Sequence, residues 1–196
     1  MPRTPAPRGR PSIITHGEIE DAAFRLFAQQ GFEATTLDAI SAEAGVARRT
    51  LARYYPSKND IPWGQFDQTL EDFRAILESL PSSLPLWQRV HQGVLAFNTY
   101  PDEVLPAHRQ RLELILRTPA LQAHSALRYA EWRQVIADHV ATDRGVDPTS
   151  LEPRLVGRVS LALAVTAYDQ WLDHPGSDLL ALLDASLFAL RAHFDG

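Results

Sequence analysis

Arg48, Arg49, Thr50, Arg53 and Tyr54 lie within seven residues of one another, and Lys58 follows four positions later. These side-chain types at this spacing suit contact with a polyanion. An arginine fork can meet guanine O6 and N7 bidentately or clasp a phosphate, whereas threonine and tyrosine hydroxyls usually position a protein on the phosphate backbone. Lys58, next to a further helix start, adds a cation where the helix dipole already favours phosphate. Upstream, Arg8-Gly9-Arg10-Pro11 puts two arginines in an extended arm of the kind that fits the narrow minor groove of A·T-rich DNA. A solvated basic helix and an ordinary basic tail are the competing readings of these two features.

Other chemistries lack their residues. The chain has 196 residues, no cysteine and a formal charge of -5. A disulfide scaffold, a thiolate zinc site and a cysteine nucleophile are thereby excluded. His16, His91, His108, His124, His139, His174 and His193 include no pair at i, i+3 or i, i+4, which argues against a bound metal. No glycine-rich phosphate loop, nucleophile elbow or local His/carboxylate motif points to catalysis or to a cofactor. No apolar run approaches the roughly 18 residues of a membrane span. The basic N-terminus has no apolar stretch behind it, so it does not read as a signal peptide, and a cytoplasmic protein is expected. Charge is uneven: residues 1–60 carry a net +1 and residues 61–196 a net -6, so only the first third suits a polyanion.

The elements that must position these residues read as helices. Thr15-x-x-Glu18 forms a capping box, and Ile19, Ala22, Ala23, Leu26 and Phe27 follow on one helical face until Gly31. Thr35-Thr36 cap a short second helix. Gly45-Val46 breaks it, and Ala47 to Tyr55 form a third, stopped by Pro56. Ala44, Val46 and Leu51 are small enough to fill the wedge of a helix-turn-helix, with the arginines outward. Ser57-x-x-Asp60 starts a fourth helix carrying Trp63, Phe66, Leu70, Phe73 and Leu77; with Pro62 so early, either the helix truly begins near Asp60 or it kinks in its first turn. Further helices are expected near 84–100, 103–117, 119–143, 151–173 and 177–194. The fold class is all-α with about nine helices: a flexible basic arm at 1–14, a helix-turn-helix domain at 15–60 and a second helical domain at 61–196.

The second domain supplies aromatics at helical spacing: Trp63, Phe66, Trp87, Phe97, Tyr129, Trp132, Tyr168 and Trp171. Each reads as core packing or as the wall of an apolar pocket between helices. His108, Arg109, Arg111 and Glu113 form the densest polar cluster on an otherwise apolar helix, where Arg109 or Arg111 is either solvated or anchors a phosphate or pantetheine headgroup. Leu161 to Tyr168, with Leu179 to Leu183 and Leu187 to Leu190, are apolar on more than one face, so burial on a second side is implied.

Ala34-Thr-Thr-Leu-Asp-Ala-Ile40, Ala44-Gly-Val46, Thr50-Leu51 and Tyr54-Tyr-Pro-Ser-Lys58 resemble the DNA-binding domain of TetR-family transcriptional regulators. The resemblance implies DNA contacts from Thr36, Arg48, Arg49, Thr50, Tyr54 and Lys58. It also implies a divergent C-terminal domain that binds a small molecule, and a homodimer through the helices near 151–173 and 177–194. The function implied is a repressor of a palindromic operator, with the fourth helix as lever. Ala52 departs from the family, which usually has an aromatic against the DNA backbone there; Arg53 or Tyr54 can compensate. Arg53-Tyr-Tyr-Pro-Ser-Lys-Asn-Asp-Ile-Pro-Trp-Gly-Gln-Phe-Asp67 is similar to regulators associated with the mycofactocin system, which implies an acyl-coenzyme A inducer. The alternative from another class is an all-α small-molecule carrier or enzyme without specific DNA binding.

Overall fold

The computed structural model describes residues 14–195, with side chains described as far as residue 189; Arg8 and Arg10 lie outside the described residues. Among the described residues the secondary structure is helical throughout. In chain order the elements are α1 (His16–Gln30), α2 (Leu37–Glu43), α3 (Arg48–Tyr54), a 3₁₀ turn (Lys58–Trp63), α4 (Phe66–Ser79), α5 (Leu86–Phe97), α6 (Leu105–Arg117), α7 (Pro119–Arg144), α8 (Leu151–Asp173) and α9 (Leu179–Asp195). They fall into two compact units, one ending at Gly64 and the other beginning at Gln65.

In the first unit, Thr15 Oγ1 accepts from the Glu18 amide at 3.2 Å while the Thr15 amide donates to Glu18 Oε2 at 2.8 Å, so two of α1's otherwise unpaired donors are satisfied. Ile19, Ala22, Ala23 and Phe27 are buried at the expected spacing. Thr36 caps α2 by accepting from the Ala39 amide at 3.1 Å. Gly45, at φ +68°, then reverses the chain, and the Val46 amide closes back on the Ser41 carbonyl at 2.9 Å. An L side chain would be strained at that φ, so this turn sets how α3 leaves α2.

The fourth helix differs from expectation. Ser57 and Asp60 do form a capping box, but it opens only the short 3₁₀ turn. Pro62 lacks an amide to extend the turn as α-helix, and Gly64 ends it at φ +58°. The α-helix restarts at Phe66, burying Phe66, Leu70, Phe73 and Leu77 on one stripe. Trp63, expected on the same helix as Phe66, therefore belongs to the first unit and Phe66 to the second.

In the second unit α7 packs mainly on α8, and α8 on α9. The α7–α8 crossing is close enough that a Cβ on Gly157 would lie 2.6 Å from the Arg133 carbonyl oxygen. Gly157→Ala is accordingly expected to destabilise the protein by about 1–3 kcal/mol, because overpacking against backbone outweighs alanine's better helix propensity. A urea midpoint equal to or above the native one would show that the crossing has slack.

Candidate nucleic-acid interface

The short helix α3 presents its arginines outward. Arg49 and Arg53 are exposed and have no acceptor among the described residues, while Arg48 Nε lies 3.3 Å from Asp38 Oδ1 in an exposed pair between α3 and α2. Such a pair contributes little and is readily exchanged for a phosphate or base edge. Thr50 is half-buried beside them, and the Leu51 side chain at its back is fully buried. Thr36 uses its oxygen as a helix cap, leaving its hydroxyl proton for an outside acceptor.

Two of the residues expected to meet phosphate are occupied inside the fold. Lys58 Nζ donates to the carbonyls of Phe32 at 2.6 Å, Thr35 at 2.8 Å and Glu33 at 3.3 Å, and it sits 4.3 Å above the Phe32 ring. All three ammonium protons are taken up, so Lys58 ties the 3₁₀ turn to the α1–α2 connection. The Tyr54 hydroxyl donates to the Ile14 carbonyl at 2.6 Å, with the His16 ring edge-on at 4.8 Å. Tyr55, buried behind it, donates to Glu20 Oε1 at 2.6 Å. The two tyrosines thus pin the start of α1 to the end of α3.

In the second unit, the aromatic residues anticipated as a pocket wall divide into separate groups. Phe97 and Trp132 pack with Phe73, whose ring lies 4.5 Å from Phe97 and 5.3 Å from Trp132 in a stacked arrangement. Phe66 lies under the Arg128 guanidinium. The other group is a polar chain in apolar surroundings. The Tyr168 hydroxyl donates to Asn98 Oδ1 at 2.5 Å and lies 3.0 Å from His108 Nε2, so His108 is the donor on that side. The Tyr100 ring covers His108 at 4.1 Å. Arg109 stacks 4.1 Å over Trp171 and reaches the Leu172 carbonyl at 3.4 Å, which makes it a packing residue rather than a solvated one. Arg111 is half-buried, and its positive field acts on both His108 and Tyr100.

Burial, and then the Arg111 charge, push the His108 imidazole down to about 4. Burial, aided by Asp169, pushes the Tyr129 phenol up to about 12, and burial with its phenol neighbours raises Tyr168 well above the usual range. At neutral pH the group is uncharged and offers hydrogen bonds. Stability follows from this. An unfolded histidine protonates below about 6.5 whereas native His108 resists protonation until about 4, so stability present above pH 6.5 is lost progressively between pH 6.5 and 4. About 2 kcal/mol of that loss is expected by pH 5. Urea midpoints at pH 7 and pH 5 test this: His108→Gln should flatten the difference, and an unchanged slope would show His108 to be solvated.

Similarity to known proteins accounts for these features. A model of the N-terminal domain of bacterial regulatory proteins of the tetR family matches residues 19–61, and a model of the MftR C-terminal domain matches residues 84–195. The chain is 40% identical over 187 residues, covering 95% of itself and 94% of the relative, to a Mycobacterium tuberculosis protein named as a mycofactocin biosynthesis transcriptional regulator, MftR. The chain belongs to the TetR family. Being a TetR-family transcriptional regulator with the MftR type of C-terminal domain, it is a regulator and not an enzyme. It is also 28% identical over 200 residues, 97% of itself and 88% of the relative, to the HTH-type transcriptional regulator TcmR of Streptomyces glaucescens. The fold matches Thermus thermophilus FadR, a repressor crystallised with lauroyl-CoA, at TM-score 0.58 and 23% identity over 90% of this chain and 93% of that one. SmeT, the repressor of a Stenotrophomonas maltophilia multidrug efflux pump, matches at TM-score 0.61 and 20% identity over 91% and 90%. No described helix is long and apolar enough to cross a membrane, and no group of three or more metal-ligating side chains occurs among the described residues.

Sequence reasoning missed Asn98, which joins Tyr168 to the end of α5, and Tyr100, which covers His108. Neither carries a local signal: each lies at a helix end, and its partner is on a different helix.

Proposed function

We propose that this TetR-family regulator is a homodimeric repressor that binds a palindromic operator and is released by a small molecule, with a long-chain acyl-coenzyme A as inducer. The observation that carries the DNA reading is the outward triplet Arg48, Arg49 and Arg53 on a helix whose opposite side is locked by buried Leu51. Thr36 and Thr50 supply hydroxyls beside it, and the sequence upstream adds Arg8 and Arg10, two cations of the type that minor-groove binding uses. A second copy is supported by α8 and α9, which leave Leu151 82%, Leu155 53% and Phe188 48% exposed. Large apolar side chains left in water at that level suit a two-fold interface, and the dimer would set two recognition helices about one DNA turn apart. The acyl-coenzyme A reading draws on the MftR-type C-terminal domain and on a fold neighbour seen with lauroyl-CoA. In the second unit, half-buried Arg111, whose field reaches His108, and Arg109, stacked on Trp171, are cations suited to an amphipathic thioester whose headgroup is anionic. A repressor of this kind works in the cytoplasm.

Fluorescence anisotropy on labelled DNA from upstream of its own gene, with and without oleoyl-coenzyme A, tests the reading. Tight, salt-sensitive binding released by the acyl-coenzyme A is the expected result. Binding that the ligand leaves unchanged would remove the inducer. Absence of any sequence-specific binding, there or in a selection from random DNA, would favour a carrier.

A further inference from the structure

A recess in the C-terminal unit shares no residue with the Tyr168–His108–Asn98 chain. It is a cleft of about 690 Å3 between α5, α7, α8 and α9, with Leu84, Val90, Val156 and Leu187 as apolar walls and Trp87, 39% exposed, at its rim. That volume is in the range of small-molecule sites. Its distinctive group is Arg89, which lines the cleft yet is only 8% exposed. Nε donates to the Leu84 carbonyl at 3.2 Å and one Nη2 proton goes to Asp143; the remaining guanidinium protons have no acceptor among the described residues. Arg89 thus offers the cleft guanidinium donors that an acceptor on a guest can take in place of water.

Charge decides which guest. Arg89 is balanced by Asp143 and Arg144 by Glu152 at 3.0 Å, while Asp184, 2.8 Å from His91, stands nearby on α9. Among the described residues that line it there is no surplus positive charge for an anion, and a carboxylate would be set against Asp143 and Glu152. A carbonyl oxygen, by contrast, can take a charge-assisted hydrogen bond from Arg89 without bringing charge of its own. We infer that this cleft is a second small-molecule site, one that takes an uncharged, mainly apolar molecule carrying a carbonyl-type acceptor, its body against Trp87 and its oxygen on Arg89. The site is independent of the acyl-coenzyme A reading, since a polyanionic headgroup is what its charge balance rejects.

Benzophenone is a suitable probe: it is uncharged, apolar, bears one carbonyl, and inserts into nearby C–H bonds under near-ultraviolet light. Photolabelling of the full chain, mapped by mass spectrometry, should be saturable and concentrated in residues 84–90 and 156–160. Val156→Trp, which fills the cleft, should reduce that labelling by about tenfold or more with an unchanged circular dichroism spectrum, and Arg89→Lys, which keeps the charge facing Asp143 but loses the spare fork, should also weaken it about tenfold. 4-Benzoylbenzoate, identical apart from its carboxylate, should label these segments about tenfold less. Saturable labelling confined to other segments, no saturable labelling, or equal labelling by the carboxylate would each overturn the proposal. Should Val156→Trp fail to fold, unchanged labelling of Arg89→Lys would overturn it equally.

Discussion

Replacing Arg48 and Arg49 together by alanine is expected to lower operator affinity by about two to four orders of magnitude while leaving the fold intact. A well-placed arginine on a base edge contributes about 1–3 kcal/mol, so removing two spans roughly that range. The fold should not notice. Arg49 has no partner among the described residues, and the Arg48–Asp38 pair is 44% and 85% exposed, which makes it worth less than about 1 kcal/mol. Anisotropy titrations at several salt concentrations separate the possible roles. If the arginines read bases, discrimination between operator and random DNA collapses. If they hold phosphates, binding weakens on all sequences, and the salt dependence becomes shallower by about one for each phosphate no longer neutralised. Unfolding of the double variant would make both arginines structural, and an unchanged affinity would move the interface away from α3.

Lys58→Met is expected to act in the opposite manner, costing about 2–4 kcal/mol of stability. The ammonium meets three carbonyls from Phe32, Glu33 and Thr35, and hydrogen bonds to a charged group contribute about 1.5–3 kcal/mol each without adding fully. Methionine keeps the stem over the Phe32 ring but leaves those carbonyls without their donor. A lower urea midpoint, with faster amide exchange in α1 and α2, would confirm the clamp. Unchanged stability together with a salt dependence shallower by about one would mean that Lys58 serves DNA phosphate, as its position beside a helix start suggests from sequence.

These residues also mark where the sequence is legible. Local signals suffice for the helix-turn-helix: Thr15 and Glu18 meet each other three residues apart, Thr36 caps its own helix, and Gly45 supplies the one conformation that the turn needs. The α8 limits, 151–173, follow from flanking breakers in the same way. What local spacing cannot carry is a partner at long range. Lys58 finds its acceptors 23–26 residues back, Tyr168 meets His108 and Asn98 60 and 70 residues away, and Arg89 meets Asp143 across 54. Helical periodicity puts Phe97, Trp132 and Tyr168 on inward faces, but which of them share a neighbourhood depends on how the helices pack. The 3₁₀ turn is intermediate: Ser57 and Asp60 announce a start, and only Pro62 with Gly64 beyond it stops that start from becoming a longer helix.

Eighteen of the nineteen basic residues are arginine, and the sole lysine is the one whose nitrogen is enclosed by three carbonyls. Side-chain amine chemistry on the native protein is thus confined to a single, shielded atom. Acylating agents, whether cellular acetyl donors or laboratory esters, have no exposed lysine in this regulator with which to tune its affinity for DNA. Acylation at Lys58 would require the turn to open first, and once made it would remove the charge that holds the turn closed. Lysine modification would therefore report, and then trap, molecules whose DNA-binding unit has already come apart.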